Sequence, residues 1–261
     1  MLLNYQLKQS SQPETIDKSE TIFIIHGLFG SLSNLSSLGK ELQNDYNVIL
    51  VDVRNHGQSA RSTTMTYQEM ANDIFEVADS LNIDTFSILG HSMGGKIAMN
   101  CALLQPNRIN SLVVADIAPM SHVDRHSDVF AGLKAVSASD VNNRAEADII
   151  LANYVETPEI RQFLLKSYQR GDNGFRFIYD VENLYHNYTL IRDWPEQNSH
   201  YDKPTLFIKG ELSDYIDEAS QPAIIALFPK AKLKVINSTG HWLHAEKPKT
   251  FNRLVINFFA Q

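Results

Sequence analysis

Over residues 20–118, short runs of Ile, Val and Phe alternate with amphipathic helical stretches. No other feature of the 261-residue sequence constrains the fold as tightly. The strand candidates are 21–26 (TIFIIH), 47–52 (NVILVD), 85–89 (TFSIL) and 111–116 (SLVVAD). Their apolar residues run on without period-2 alternation, as in parallel strands buried on both faces. Between them, 67–81 sets Met70, Ile74, Val77 and Leu81 at helical spacing. A second helix is predicted from Met93 to Leu104, stopped by Pro106. Strands and helices of these lengths in alternation make βαβ units, so the fold class is α/β, with a mostly parallel central sheet flanked by helices.

The alternation stops near residue 120. Residues 121–200 carry helical stretches, among them 144–154 and 157–169, and no parallel-strand pattern. Strands resume at 204–209 (PTLFIK) and 231–236 (AKLKVI), with helices at 218–228 and 248–260. Roughly 80 residues of helical material are too many for a loop and read as a lid or cap. The division expected is a first core segment (1–119), a helical cap (120–202) and a second core segment (203–261). The first 20 residues are expected to form an antiparallel edge.

Composition excludes several function classes. Thirty acidic residues against 23 basic ones leave a net charge of -7, without the basic footprint that nucleic acid demands. The longest apolar runs, such as Ile22 to Ile25, fall far short of the roughly 20 residues that span a bilayer. Met1 to Gln12 lacks the apolar core and small residues of a secretory signal. The single cysteine, Cys101, cannot form an internal disulfide, which together with the rest fits a reducing cytoplasm.

The chemical signal is Gly90-His91-Ser92-Met93-Gly94. G-x-S-x-G is weak alone, but here it follows a strand and opens a helix, the context of a nucleophile elbow. A serine in so tight a turn needs neighbours without bulk, which Gly90 and Gly94 supply, and Gly95 and Ala98 let the helix approach the sheet. The base is assigned to His241, in Gly240-His241-Trp242 just after the last predicted strand, where catalytic groups of open α/β sheets gather. His244 heads into the final helix and is expected to cap it or pair with Glu246.

An oxyanion needs two preorganised donors. They are assigned to the backbone N–H of Met93 and to that of Leu28, in the loop His26-Gly27-Leu28-Phe29-Gly30. His26 is read as a structural residue bonded within this loop. The acid is ambiguous between two carboxylates. Gly210-Glu211-Leu212-Ser213 puts serine where a Gly-x-x-Asp pattern would put the acid, and Asp214 comes one residue late. Asp116, ending the strand after the elbow helix, is favoured as the group that orients His241, with Ser213 adding a hydroxyl contact. The run His122-x-Asp124-x-His126-x-Asp128 has metal-ligand residue types, yet lacks a completing cluster and reads as a solvated start to the cap. Cys101 is read as buried packing, not a nucleophile.

Taken together, His26-Gly27, Asp52 to Ser59, Gly90 to Gly94 and Gly240-His241 resemble the α/β-hydrolase superfamily in order and spacing. More narrowly, Arg54-Asn55-His56-Gly57, Gly90 to Lys96 and Asp116-Ile117-Ala118-Pro119 resemble the bacterial YbfF-type esterases. The resemblance implies hydrolysis of acyl esters and thioesters, including acyl-CoA, beneath a helical cap. It also implies an acid at Asp116, with Asp52 and Arg54 in a structural loop.

The expected activity is therefore that of a serine hydrolase acting through an acyl-enzyme on a small-molecule ester or thioester of short to medium acyl length, without a cofactor or a metal. Phe29, Phe163, Tyr168, Phe175, Phe177, Tyr185 and Trp242 are candidates for an acyl-pocket wall, and each cap aromatic can equally be cap core. Two rival readings stand beside this one. The same scaffold runs carbon–carbon bond hydrolysis or lyase chemistry, and a slow-turnover ligand-binding sensor would keep the same three groups.

Overall fold

The structure, a computed structural model, describes residues 1–11, 20–172 and 174–261. Nine strands alternate with eleven helices along the described chain. The first part holds β1 (Tyr5–Lys8), β2 (Thr21–Ile25), α1 (Ser36–Leu42), β3 (Asn47–Val51), α2 (Tyr67–Ser80), β4 (Phe86–His91), α3 (Met93–Leu104) and β5 (Ile109–Ala115). There follow α4 (Ser127–Ser137), α5 (Arg144–Leu151), α6 (Pro158–Lys166), the hairpin β6 (Tyr168–Gly171) and β7 (Gly174–Phe177), α7 (Val181–His186) and α8 (Tyr188–Arg192). The last part is β8 (Thr205–Gly210), α9 (Gln221–Leu227), β9 (Ala231–Ile236), α10 (Leu243–Glu246) and α11 (Pro248–Phe259).

Seven strands form one sheet in the order β1-β3-β2-β4-β5-β8-β9, parallel except for β1. Its two faces explain the unbroken apolar runs. Along β2, Phe23 and Ile25 face a core shared with α2 and α3, while Ile22 and Ile24 face one shared with α1 and α11. Both sets are buried, so the run shows no alternation of polar and apolar residues. Helix α2 begins at a capping box: the Thr66 hydroxyl accepts from the Glu69 N–H, and the Glu69 carboxylate accepts from the Thr66 N–H.

The antiparallel edge is β1, paired with β3; residues 12–19 of the expected edge lie outside the described residues. Two sequence expectations need correction. Helix α6 ends at Lys166, and Tyr168 starts a strand of a two-stranded antiparallel hairpin that the 157–169 helix reading passed over. Gly174, at φ 99, provides the positive φ on which β7 begins. Helix α5 stops at Leu151, ahead of the expected 154.

Parallel register brings the carboxyl ends of β2, β4, β5, β8 and β9 to one rim, which α4 to α8 overhang between β5 and β8. Hydrogen bonds fasten the overhang to that rim: the Asp180 N–H donates to the Asn55 carbonyl and the Ser167 hydroxyl to the Phe29 carbonyl at 3.3 Å. The rim is possible only because the turn after β4 is glycine-lined. A Cβ on Gly94 would stand 2.4 Å from the Ile25 carbonyl oxygen, inside any contact limit. A Cβ on Gly240 would meet nothing closer than a Glu246 carboxylate oxygen at 3.4 Å. Gly94→Ala should therefore destabilise the protein by about 2–4 kcal/mol and Gly240→Ala by under about 1 kcal/mol. Urea unfolding checks this, and equal effects at the two positions would contradict the packing argument.

Candidate active site

Ser92 occupies the single residue between β4 and α3, at φ 54 and ψ -121. Its N–H donates to the Ala115 carbonyl of β5 at 2.9 Å, which pins the turn to the neighbouring strand. The hydroxyl points at the loop after β9, where Ser92 Oγ lies 2.9 Å from Nε2 of His241. The other ring nitrogen, Nδ1, donates to Oδ2 of Asp116 at 2.8 Å. With the proton on Nδ1, Nε2 presents its lone pair to the serine hydroxyl.

Asp116 follows β5 directly, at φ 53, and is fully buried. Its Oδ1 accepts from the Gly210 N–H at 2.9 Å, and its Oδ2 also accepts from the Ser213 hydroxyl. Ser213 thus makes its hydroxyl contact with the carboxylate and not with the imidazole. Asp214 points away: exposed, it pairs with Arg125, whose hydrogen bond holds its carboxyl below the usual range. Two groups that the sequence did not suggest support His241. His91 donates from Nε2 to the His241 carbonyl at 2.8 Å, and the Tyr215 ring stacks on the imidazole at 4.0 Å between centroids and 24°. Arg125 in turn lies over Tyr215, 4.7 Å from its centre.

The loop after β2 closes over Ser92, and a Cβ on Gly27 would come within 3.2 Å of the serine Cβ. Two buried histidines hold this loop to the one after β3. His26 donates from Nδ1 to the Gly27 carbonyl at 2.8 Å and accepts at Nε2 from the Val53 N–H at 3.1 Å. His56 donates from Nδ1 to the Arg54 carbonyl and accepts at Nε2 from the N–H of Phe29, a residue at φ 63. Asp52 accepts from the Leu32 and Gln58 N–H groups, and Arg54 forms a two-pronged pair with buried Asp73. Leu28 lines the cavity, and Met93 opens α3, where the first N–H groups have no acceptor within the helix.

A cavity of about 240 Å³ lies above Ser92. Phe29, Phe163 and Trp242 line it, with the last two rings 5.6 Å apart. Tyr168, Phe175, Phe177 and Tyr185 do not. Tyr168 and Phe177 pack on each other in the hairpin, with Phe175 against Tyr168, and Tyr185 sits outside, 47% exposed over Lys134. Helical and hairpin aromatics alternate inward and outward, and sequence spacing could not tell which way each turned. The overhang instead contributes Val129, Ile160, Leu164, Tyr188 and Ile191.

The 122–128 run is not uniformly solvated. Asp124 is exposed and accepts from the Ser127 N–H and hydroxyl at the start of α4, whereas His122 and His126 turn into the cavity wall. Among the described residues no group of three or more His, Cys, Asp or Glu is placed to hold a metal ion. His244 does not pair with Glu246, whose carboxylate accepts from the Gly240 N–H. Instead it packs on His91, ring centres 4.4 Å apart. Cys101 is buried, and burial raises its thiol well above the ordinary value. Lys96 was missed, although a lysine in the otherwise apolar helix after Ser92 was a visible signal; it is 1% exposed.

The description of the α/β hydrolase fold matches residues 20–248. The chain belongs to the α/β-hydrolase family. It is 43% identical to the esterase YbfF of Escherichia coli, over 90% of this chain and 91% of that protein. It is 36% identical to the sn-1-specific diacylglycerol lipase ABHD11 of Danio rerio, over 92% of this chain and 78% of that protein. Among solved structures, a marine microorganism esterase superposes with a TM-score of 0.92 at 36% identity, covering 99% of both chains. Among the described residues of this α/β hydrolase, no helix is long and apolar enough to cross a membrane.

The histidines that fasten the rim make stability depend on pH. Burial lowers the pKa of His26, His56 and His91, so all three stay neutral in the folded chain below the value near 6.5 at which they charge when unfolded. Below pH 6.5 the unfolded chain therefore binds protons that the folded chain excludes, and stability falls with pH. As pH falls below 6.5 the slope should grow toward about 1.4 kcal/mol per pH unit for each histidine that the fold keeps neutral. Urea unfolding between pH 7.5 and 5 measures it; a flat profile would contradict the neutral-histidine assignment.

Proposed function

We propose that this α/β hydrolase is a serine esterase that cleaves carboxylic esters or thioesters through an acyl-enzyme. The observation that carries the reading is the continuous chain Ser92 Oγ–His241 Nε2 at 2.9 Å and His241 Nδ1–Asp116 Oδ2 at 2.8 Å. His241 removes the serine proton as Oγ attacks the carbonyl, and the resulting imidazolium is stabilised by Asp116, which keeps the ring in the useful tautomer without taking the proton. The N–H groups of Leu28 and Met93 receive the oxyanion. The tetrahedral intermediate collapses as His241 gives the proton to the departing alcohol or thiol. Water, deprotonated by the same imidazole, then attacks the acyl-enzyme and frees the acid and Ser92.

Relatives named as esterases and lipases support ester substrates. The cavity, about 240 Å³, lies below the usual range of about 300–1,000 Å³ for drug-sized ligands and favours short to medium acyl groups, with Phe29, Phe163 and Trp242 as apolar wall. In this reading the elements over residues 120–202 act as the cap. Ser213 serves as a positioning residue for Asp116, since it supplies the hydroxyl that the carboxylate accepts.

Four variants test the roles. Ser92→Ala should abolish covalent labelling by an organophosphonate and leave the unfolding transition in place; persistent labelling would refute the nucleophile. Asp116→Asn should lower kcat on p-nitrophenyl acyl esters by about 10³–10⁴, with Asp214→Asn near wild type. The reverse order would move the acid to Asp214. Ser213→Ala should lower kcat by about tenfold, the loss of one hydrogen bond to a buried charge, with KM little changed.

A further inference from the structure

One part of the cavity wall is polar in a way that the proposed triad chemistry leaves unused. Lys96, one helical turn after Ser92, is buried, and its ammonium donates to the carbonyls of Arg192 at 2.9 Å and Asp193 at 2.8 Å. Burial lowers this lysine to about 7, and its ammonium form has three N–H donors, of which one remains beyond the two carbonyls. The Arg192 carbonyl also accepts from the His122 N–H, which sets His122 beside Lys96. Among the described residues, Nε2 of His122 is buried without a hydrogen-bond partner, although both residues line the cavity. A favourable interaction of the His122 ring with the Ala118 carbonyl places the proton on the other ring nitrogen, which leaves Nε2 as an acceptor. Burial and the neighbouring lysine push His122 down to about 4, which keeps it neutral at physiological pH.

A leftover donor next to an unsatisfied acceptor is a specific demand. A buried acceptor left unpaired costs about 1–3 kcal/mol. An alkyl group leaves both atoms unpaired. A carboxylate satisfies the lysine and sets its own lone pairs against Nε2. A hydroxyl accepts from Lys96 and donates to His122 at once.

We propose that Lys96 and His122 form a hydroxyl-binding subsite within the cavity, selecting esters that carry a free hydroxyl on the acyl chain or on the alcohol. The inference rests on the esterase reading for its substrate class, and the subsite itself on the geometry of these two side chains.

The test uses ester pairs that differ only by a hydroxyl. One arm places it at successive carbons of the acyl chain of p-nitrophenyl esters. The second compares monoacyl esters of diols with the matching simple alkyl esters, and a third set carries a carboxylate in place of the hydroxyl. In at least one of the first two arms, kcat/KM should favour the hydroxyl ester by about tenfold or more, the worth of one good hydrogen bond. That ratio should fall to near one in His122→Leu and in Lys96→Met; because it is a ratio, it survives a general loss of activity in either variant. Calorimetry of Ser92→Ala with the matching amides reads the same preference without turnover. Binding preference without ester turnover would sink the esterase reading and keep the subsite. Turnover with ratios near one in every pair, or with the carboxylate esters preferred, would overturn the subsite and keep the esterase.

Discussion

The site is organised around the buried carboxylate of Asp116. An ionised carboxylate removed from water is costly unless donors surround it, and here three converge: the Gly210 N–H, the Ser213 hydroxyl and His241 Nδ1. These come from the end of β8 and from the loops after β8 and β9, so the charge ties three adjacent strand ends together. It also explains the serine at 213. A second carboxylate there would stand in contact with Asp116, and like charges at that distance cannot both stay ionised. With the acid placed after β5, position 213 must hold a neutral donor.

The loops around the site are also joined by groups that stay uncharged. His26, His56 and His91 each bridge backbone segments, and burial keeps them neutral. Neutral imidazole offers one donor and one acceptor, which lets a single ring join two loops without a counter-ion. The loop bearing Leu28 is thereby fixed against Ser92, a preorganisation that oxyanion binding requires. The strained φ values at Phe29, Ser92 and Asp116 cluster at this rim, where the surrounding bonds over-determine the backbone.

Much of the architecture was legible in the sequence because its physics is local. Unbroken apolar runs marked parallel strands buried on two faces, and the glycines around Ser92 marked a turn with no room for side chains. The three members of the hydrogen-bonded chain were legible from motif and strand order. What escaped depends on long-range packing. The inward turn of His122, the stacking of Tyr215 on His241 and the outward turn of Tyr185 follow from how α4 to α8 seat on the rim. The 168–177 hairpin was hidden because four-residue strands carry too little periodicity to outweigh the neighbouring helical pattern.

The bond between His241 Nδ1 and Asp116 is the claim from which the other roles descend, and proton NMR observes it directly. A charge-assisted N–H shielded from solvent gives an exchange-protected resonance far downfield of the amides. The account predicts such a signal, lost in Asp116→Asn and retained in Asp214→Asn. A signal that survives Asp116→Asn and vanishes in Asp214→Asn would contradict it.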